Sequence, residues 1–216
     1  MNFLAHIYLS GDNEDILLGN FIADMVKGNQ IEKFNQTVVD GILLHRRIDN
    51  FTDTHPIVEQ SKMRLRNKYR LFAGVIVDMF YDHFLARYWK DFSEVPLNTY
   101  VKSAYRILMK NYFVLPVRGK NLLPIMIASN WLVNYASLKH LQRYFEGMAK
   151  RTPFHSGMET AVKDLETHYE DFESEFRMFF PQLVGYVEKL GILHHHHFPS
   201  KNGDVYQEER KTEGVI

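Results

Sequence analysis

Apolar residues recur at intervals of three and four along most of this 216-residue chain. That is the spacing of a helix that buries one face. The stretch EDILLGNFIADMVKG opens with acids and closes on Gly28, a start and a stop for one helix. Thr37 with Asp40 three positions on resembles a capping box, opening a helix from Val38 to about Asn50. Pro56 permits a new start for a charged amphipathic segment over 57–68, and 73–90 is the most apolar helix. Further helices are expected near 97–112, 120–136, 138–149 and 156–189, with Pro181 kinking or ending the last. Sustained alternation and hairpin turn signals are weak. The pattern predicts an all-α, single-domain helical bundle of about seven to eight helices over residues 1–190. From 191 to 216 the chain becomes polar and patternless, which reads as a flexible C-terminal tail.

Several helices carry ionisable side chains where a core should be. Val75, Asp78, Asp82, Leu85 and Trp89 share a face, so two carboxylates about 6 Å apart interrupt an apolar stripe. Burying them calls for a cation, a metal or strong donors. His83 adjoins Asp82, and both side chains are long enough to lean toward one ion. His45 and Asp49 are four apart between Ile42 and Ile48, so the carboxylate can orient the imidazole. Asp24 continues the Leu17–Phe21 stripe, and His6 sits in NFLAHIYL. Each has a bland alternative: a local cap, a surface ion pair, a satisfied core histidine. Arg46 and Arg47 suit phosphate oxygens, or equally solvent and nearby acids. Together, His and carboxylate groups on separate helices suggest one hydrolytic metal site. Such a donor set favours Mn²⁺, Mg²⁺ or Fe²⁺, which polarise a phosphoryl oxygen and acidify a bound water.

Composition narrows the field. Lys+Arg and Asp+Glu balance at 26 each, so no global charge points to nucleic acid or a membrane surface. The absence of cysteine removes disulfides and thiolate metal ligands. The N-terminal stretch makes a poor signal peptide, and no apolar run approaches the ~20 residues needed to cross a bilayer, so a cytoplasmic location is expected. The histidine run at 194–197 is read as incidental, because consecutive residues on a loose tail are not pre-arranged around an ion. Lys62, Arg64, Arg66, Lys68 and Arg70 occur with no acid among them. On a helix Lys62, Arg66 and Arg70 align, forming either a solvated face or a docking strip for an acidic partner.

The segments MNFLAHIYLS, GNFIADMVKG, GILLHRRIDNFTD and DMFYDHFLARYW, in this order, resemble the acyl carrier protein phosphodiesterase family. So do ASNWLVNYASLKHLQRYFEGMAKR and HYEDFESEFRMFFPQL. The resemblance implies an all-α fold distantly related to HD phosphohydrolases, with the adjacent pair reversed as Asp82–His83. It implies Mn²⁺-dependent hydrolysis of the phosphodiester joining 4′-phosphopantetheine to a serine of holo-acyl carrier protein, an acidic substrate. Carried over by motif, His6, Asp24, His45, Asp82 and His83 would be ligands, with Asp24, His45, Asp78, Asp82 and His83 catalytic. Arg46 and Arg47 would hold the phosphodiester, Asp49 would orient His45, and the 62–70 ridge would dock the carrier. Two alternatives stay open: a phosphohydrolase acting on a nucleotide or other small phosphoester, and a carrier-binding module without turnover. Oligomeric state is not legible.

Overall fold

A computed structural model describes residues 1–192; the expected tail from 193 onward, with the 194–197 run, lies outside the described residues. Among them the chain forms eleven α-helices and no strand. These are α1 (Phe3–Tyr8), α2 (Glu14–Ile22), α3 (Gln36–Thr54), α4 (Pro56–Tyr69), α5 (Ala73–Arg87) and α6 (Leu97–Lys110). They continue as α7 (Val117–Ala128), α8 (Trp131–Asn134), α9 (Leu138–Ala149), α10 (Ala161–Thr167) and α11 (Tyr169–Lys189). The all-α expectation holds, with boundary shifts that have local causes. The α3 helix starts at Gln36 because Asn35, not Thr37, caps it, its Oδ1 accepting from Val38 N at 2.9 Å. The helix expected over 120–136 breaks at Asn130, whose φ of 47° lies in the left-handed region. Pro181 sits inside α11 without ending it.

Two contacts place the elements that matter for function. First, α2 crosses α3 where Gly19 meets Gly41. A Cβ on Gly19 would lie 2.0 Å from the Val38 carbonyl, and one on Gly41 would lie 2.3 Å from the Ile16 carbonyl. Only glycine permits this approach. It brings Asn20, one residue beyond Gly19, against His45, one turn beyond Gly41. Second, α5 supplies the cap for α1. Asp82, fully buried, accepts from the backbone N–H groups of Asn2 (3.2 Å), Leu4 (2.7 Å) and Ala5 (3.3 Å). A six-residue helix is marginal by itself, and these bonds satisfy its first amides. Burial pushes the Asp82 carboxyl up to about 7, against the pull of the Met1 ammonium and of those amides.

The 62–70 ridge is largely used internally. Lys62 is nearly buried and reaches Asp53 at 2.7 Å. Arg64 turns inward to grip the buried Glu175 of α11 with two hydrogen bonds, at 2.8 and 2.9 Å, and lies over the Phe172 ring. Lys68 pairs with Asp164 and Arg66 with Glu59. A buried carboxylate such as Glu175 draws a bidentate guanidinium from whatever helix packs on it. Of the five cations expected to dock a partner, Lys62, Arg64 and Lys68 are thus engaged with other elements, Arg66 pairs within α4, and Arg66 and Arg70 are exposed.

Candidate metal centre

Four helices or turns converge on one cluster: His6 from α1, Asn20 from α2, Asp24 from the single turn Ala23–Met25 after α2, and His45 with Asp49 from α3. The two imidazoles stack, with ring centroids 3.9 Å apart and planes 18° from parallel. His6 Nε2 lies 3.1 Å from Asp49 Oδ1, and His45 Nε2 lies 3.1 Å from Asp49 Oδ2 and 3.3 Å from Asp24 Oδ1. Asp49 thus bridges both rings with its two oxygens. Donor atoms of His6, His45 and Asp49 all fall within 4.8 Å of one another.

The proton inventory makes this cluster unusual. His45 Nδ1 sits 2.9 Å from the Asn20 backbone carbonyl and 3.0 Å from Asn20 Oδ1, both acceptors. It must therefore carry a proton. His6 Nδ1 lies 2.9 Å from the same Oδ1. The amide cannot be turned round, because its Nδ2 donates to the His6 carbonyl (2.8 Å) and to Ser10 Oγ (2.9 Å), while Ser10 donates to the His6 carbonyl. Both Nδ1 atoms are donors, so in the neutral rings both Nε2 atoms present lone pairs to carboxylate oxygens. Neither Nε2, though buried, makes a hydrogen bond of acceptable geometry. Lone pairs facing anions repel unless a proton or a cation lies between them.

With protons alone, the cluster settles the conflict unevenly. Burial works against a charged His45, but its bonds to Asp24 and Asp49 prevail and raise it to about 9. Burial, then the charge on His45, lowers His6 to about 4. Asp24 is lowered by the bond from His45. Burial would raise Asp49, yet the two imidazoles hold it well below the usual carboxylate range. A divalent cation satisfies the same donors without splitting them, and the chemistry fits: imidazole and carboxylate ligands, with both imidazoles oriented from behind by an amide and a carbonyl.

Of the residues expected at the site, His6, Asp24 and His45 are brought together. Asp49 is brought in too, but in a different position from the expected one: it faces the Nε2 atoms, and Asn20 does the orienting. Asn20 was missed. Its only signal was a polar residue inside the apolar run from Leu17 to Ile22. Asp82 and His83 are not brought to the cluster. Asp82 spends its oxygens on α1, and His83 Nδ1 donates to the Tyr135 carbonyl at 2.8 Å while Nε2 accepts from the Tyr169 hydroxyl at 2.9 Å. Asp78 accepts from the Met1 α-amino group at 2.9 Å. Arg46 and Arg47 are both exposed. Arg47 points roughly 200° round α3 from His45, given ~100° per residue. There it lines a shallow pocket with Asp40 and Leu43. Arg46 lies closer in angle to the Asp49 side.

The model of the acyl carrier protein phosphodiesterase family matches residues 1–183. Curated proteins named acyl carrier protein phosphodiesterase align over most of their length. The protein from Enterobacter sp. (strain 638) is 38% identical over 185 residues, 85% of this chain and 96% of its own. That from Photorhabdus laumondii is 36% identical over 189 residues, 87% of this chain and 96% of its own. That from Escherichia coli (strain K12 / DH10B) is 36% identical over 193 residues, 89% of this chain and all of its own. No solved structure matches.

Proposed function

Since the chain belongs to the acyl carrier protein phosphodiesterase family, we propose that it hydrolyses the phosphodiester between 4′-phosphopantetheine and a serine of holo-acyl carrier protein. In this reading water adds to phosphorus and the bond to the serine oxygen breaks. The products are apo-carrier, its hydroxyl restored, and free 4′-phosphopantetheine. His6, His45 and Asp49 would hold a divalent cation, Mn²⁺ by preference. When bound, that ion supplies charge to polarise the phosphoryl group and acidify water.

The chain's own residues do the rest. Asn20 fixes both rings, so that their lone pairs converge on one place. Asp24, with a side chain 71% exposed, is the carboxylate that reaches the solvent. It takes the proton from the attacking water and returns it to the leaving serine oxygen. Arg46, exposed beside the cluster on α3, reaches out to the non-bridging phosphate oxygens. The observation that carries this reading is the pair of Nε2 lone pairs aimed at Asp49 and Asp24, a donor set that calls for a cation.

Incubation of purified holo-carrier with Mn²⁺, followed by intact mass, tests it. Loss of the phosphopantetheine mass is expected with the wild-type chain, and is expected to be abolished by chelation and by Asp49→Asn. Turnover that survives chelation would overturn the metal assignment. Carrier that binds yet keeps its mass would overturn the reaction.

A further inference from the structure

Between Glu94 and Glu146 the sequence contains no acid, yet it holds Lys102, Arg106, Lys110, Arg118, Lys120, Lys139 and Arg143. The chain is neutral as a whole, so this bias is concentrated in one part of the fold. The segment runs from α6 into α9; α6 and α7, which carry five of these seven cations, pack on one another. On α6, Lys102, Arg106, Met109, Lys110 and then Phe113 step by three and four along one exposed face. Of these cations Lys110 is already paired, with Glu14 of α2 at 2.7 Å. Apolar side chains are interleaved with the charges: Phe113 is 88% exposed, Val117 75% and Ile125 58%. Large apolar groups this exposed, interleaved with cations, mark an interaction surface.

The patch also borders the metal cluster. Gly119 lies between Arg118 and Lys120, and a Cβ on it would sit 3.2 Å from Met25 Sδ. Met25 directly follows Asp24, so the start of α7 rests on the turn that carries the solvent-facing carboxylate. A groove of about 410 Å³ continues the patch past Val114 to Leu18, Phe34 and Val38, with Lys33 and Asp15 on its wall. The 62–70 ridge, by contrast, has most of its cations engaged within the fold.

We infer that the α6–α7 face docks the protein substrate through an acidic, amphipathic surface on that partner. Carboxylates would meet Lys102, Arg106 and Arg118, and apolar side chains would cover Phe113 and Val117. The inference rests on the reading that the substrate is an acidic carrier protein. Opposite charges spread over such a face steer encounter and set register, leaving the chemistry to the neighbouring cluster.

The test is binding without turnover. Fluorescently labelled apo-acyl carrier protein is titrated with the full chain and followed by anisotropy. The variant Lys102→Glu/Arg106→Glu/Arg118→Glu is expected to bind at least about tenfold more weakly than wild type, and wild-type affinity is expected to fall as salt is added. Reversal of Arg66 and Arg70 to Glu is expected to change affinity less than about twofold. All five positions are exposed, and bis(p-nitrophenyl) phosphate hydrolysis reports whether the site itself is intact. Wild-type affinity in the triple variant, or no wild-type binding at all, overturns the docking face. Binding lost in the triple variant, with a wild-type chain that leaves holo-carrier unhydrolysed, would support this face while overturning the proposed reaction.

Discussion

Asn20 and His45 are joined twice, the imidazole Nδ1 facing both the backbone carbonyl and the side-chain oxygen of one asparagine at 2.9 and 3.0 Å. The same side-chain oxygen also faces His6. One neutral amide therefore sets the tautomer of both rings, and through the tautomer it sets the direction of both Nε2 lone pairs.

Replacing Asn20 by Ala is expected to weaken Mn²⁺ binding by about 10- to 100-fold, the usual effect of losing a group that orients a ligand from behind. Calorimetric titration of the metal-stripped protein measures it. Asn20→Asp is the sharper probe: it keeps the acceptor but puts a charge behind the rings and removes the amide donor to Ser10. Unaltered affinity in both variants would refute the orienting role.

Asp82→Asn separates a cap from a ligand. An amide keeps one acceptor oxygen and turns an NH₂ toward backbone N–H groups, so a loss of about 1–3 kcal/mol in unfolding free energy is expected. Metal stoichiometry should stay as in wild type. A variant of wild-type stability that no longer holds metal would return Asp82 to the donor set.

His83 gives the fold a pH dependence. Burial lowers this imidazole to about 4 from its ordinary 6.5, so the folded state binds its proton less readily than the unfolded chain. Its contribution is present above pH 6.5, is lost as pH falls from 6.5 to 4, and levels off below. The span corresponds to something on the order of 3 kcal/mol. His6 is lowered and Asp82 raised over the same range, acting with opposite signs, so the test is a comparison: urea melts of wild type and His83→Asn across that window. A flatter profile is expected in the variant, and an equally steep one would exclude His83 as its source.

Gly41→Ala would force a Cβ to within 2.3 Å of the Ile16 carbonyl, so α2 and α3 must separate. Overpacking of this kind costs about 1–3 kcal/mol or more, and the Asn20–His45 bonds should stretch with it, lowering metal affinity together with Tm. Gly74→Ala is the control, since its new methyl would meet only Lys62 Cε at 3.7 Å. That change is expected to be neutral or to stabilise α5 by up to about 1 kcal/mol. If Gly41→Ala behaves like Gly74→Ala, the crossing does not need glycine.

The helices were legible because periodicity reports burial, and most of them run close to where the pattern set them. The helix missed outright, α1, is short and depends on a cap donated from a distant helix, which no local pattern can carry. The expected 156–189 helix is divided at His168, and the one expected to run to Gly28 ends at Ile22. Ionisable residues on apolar stripes were equally visible, but sequence cannot tell which partner relieves each of them. Asp24 and His45 meet one another, Asp82 meets backbone amides, and His83 meets a carbonyl and a phenol. In sequence all four look alike. Asn20 escaped notice because it bears no charge. The 62–70 cations stood out as a run, whereas the acid-free stretch between Glu94 and Glu146 is visible only as an absence.

The bond from Leu4 to Asp82 spans 78 positions, and it ties the His6-bearing first helix to the fifth. The first helix has little reason to form until the fifth has arrived, and His6 rides on that first helix. A collapsed intermediate lacking this long-range closure would present only half of the stacked pair and would be a poor trap for metal. The stacked His6–His45 pair is therefore complete only once the two ends of this long closure have met.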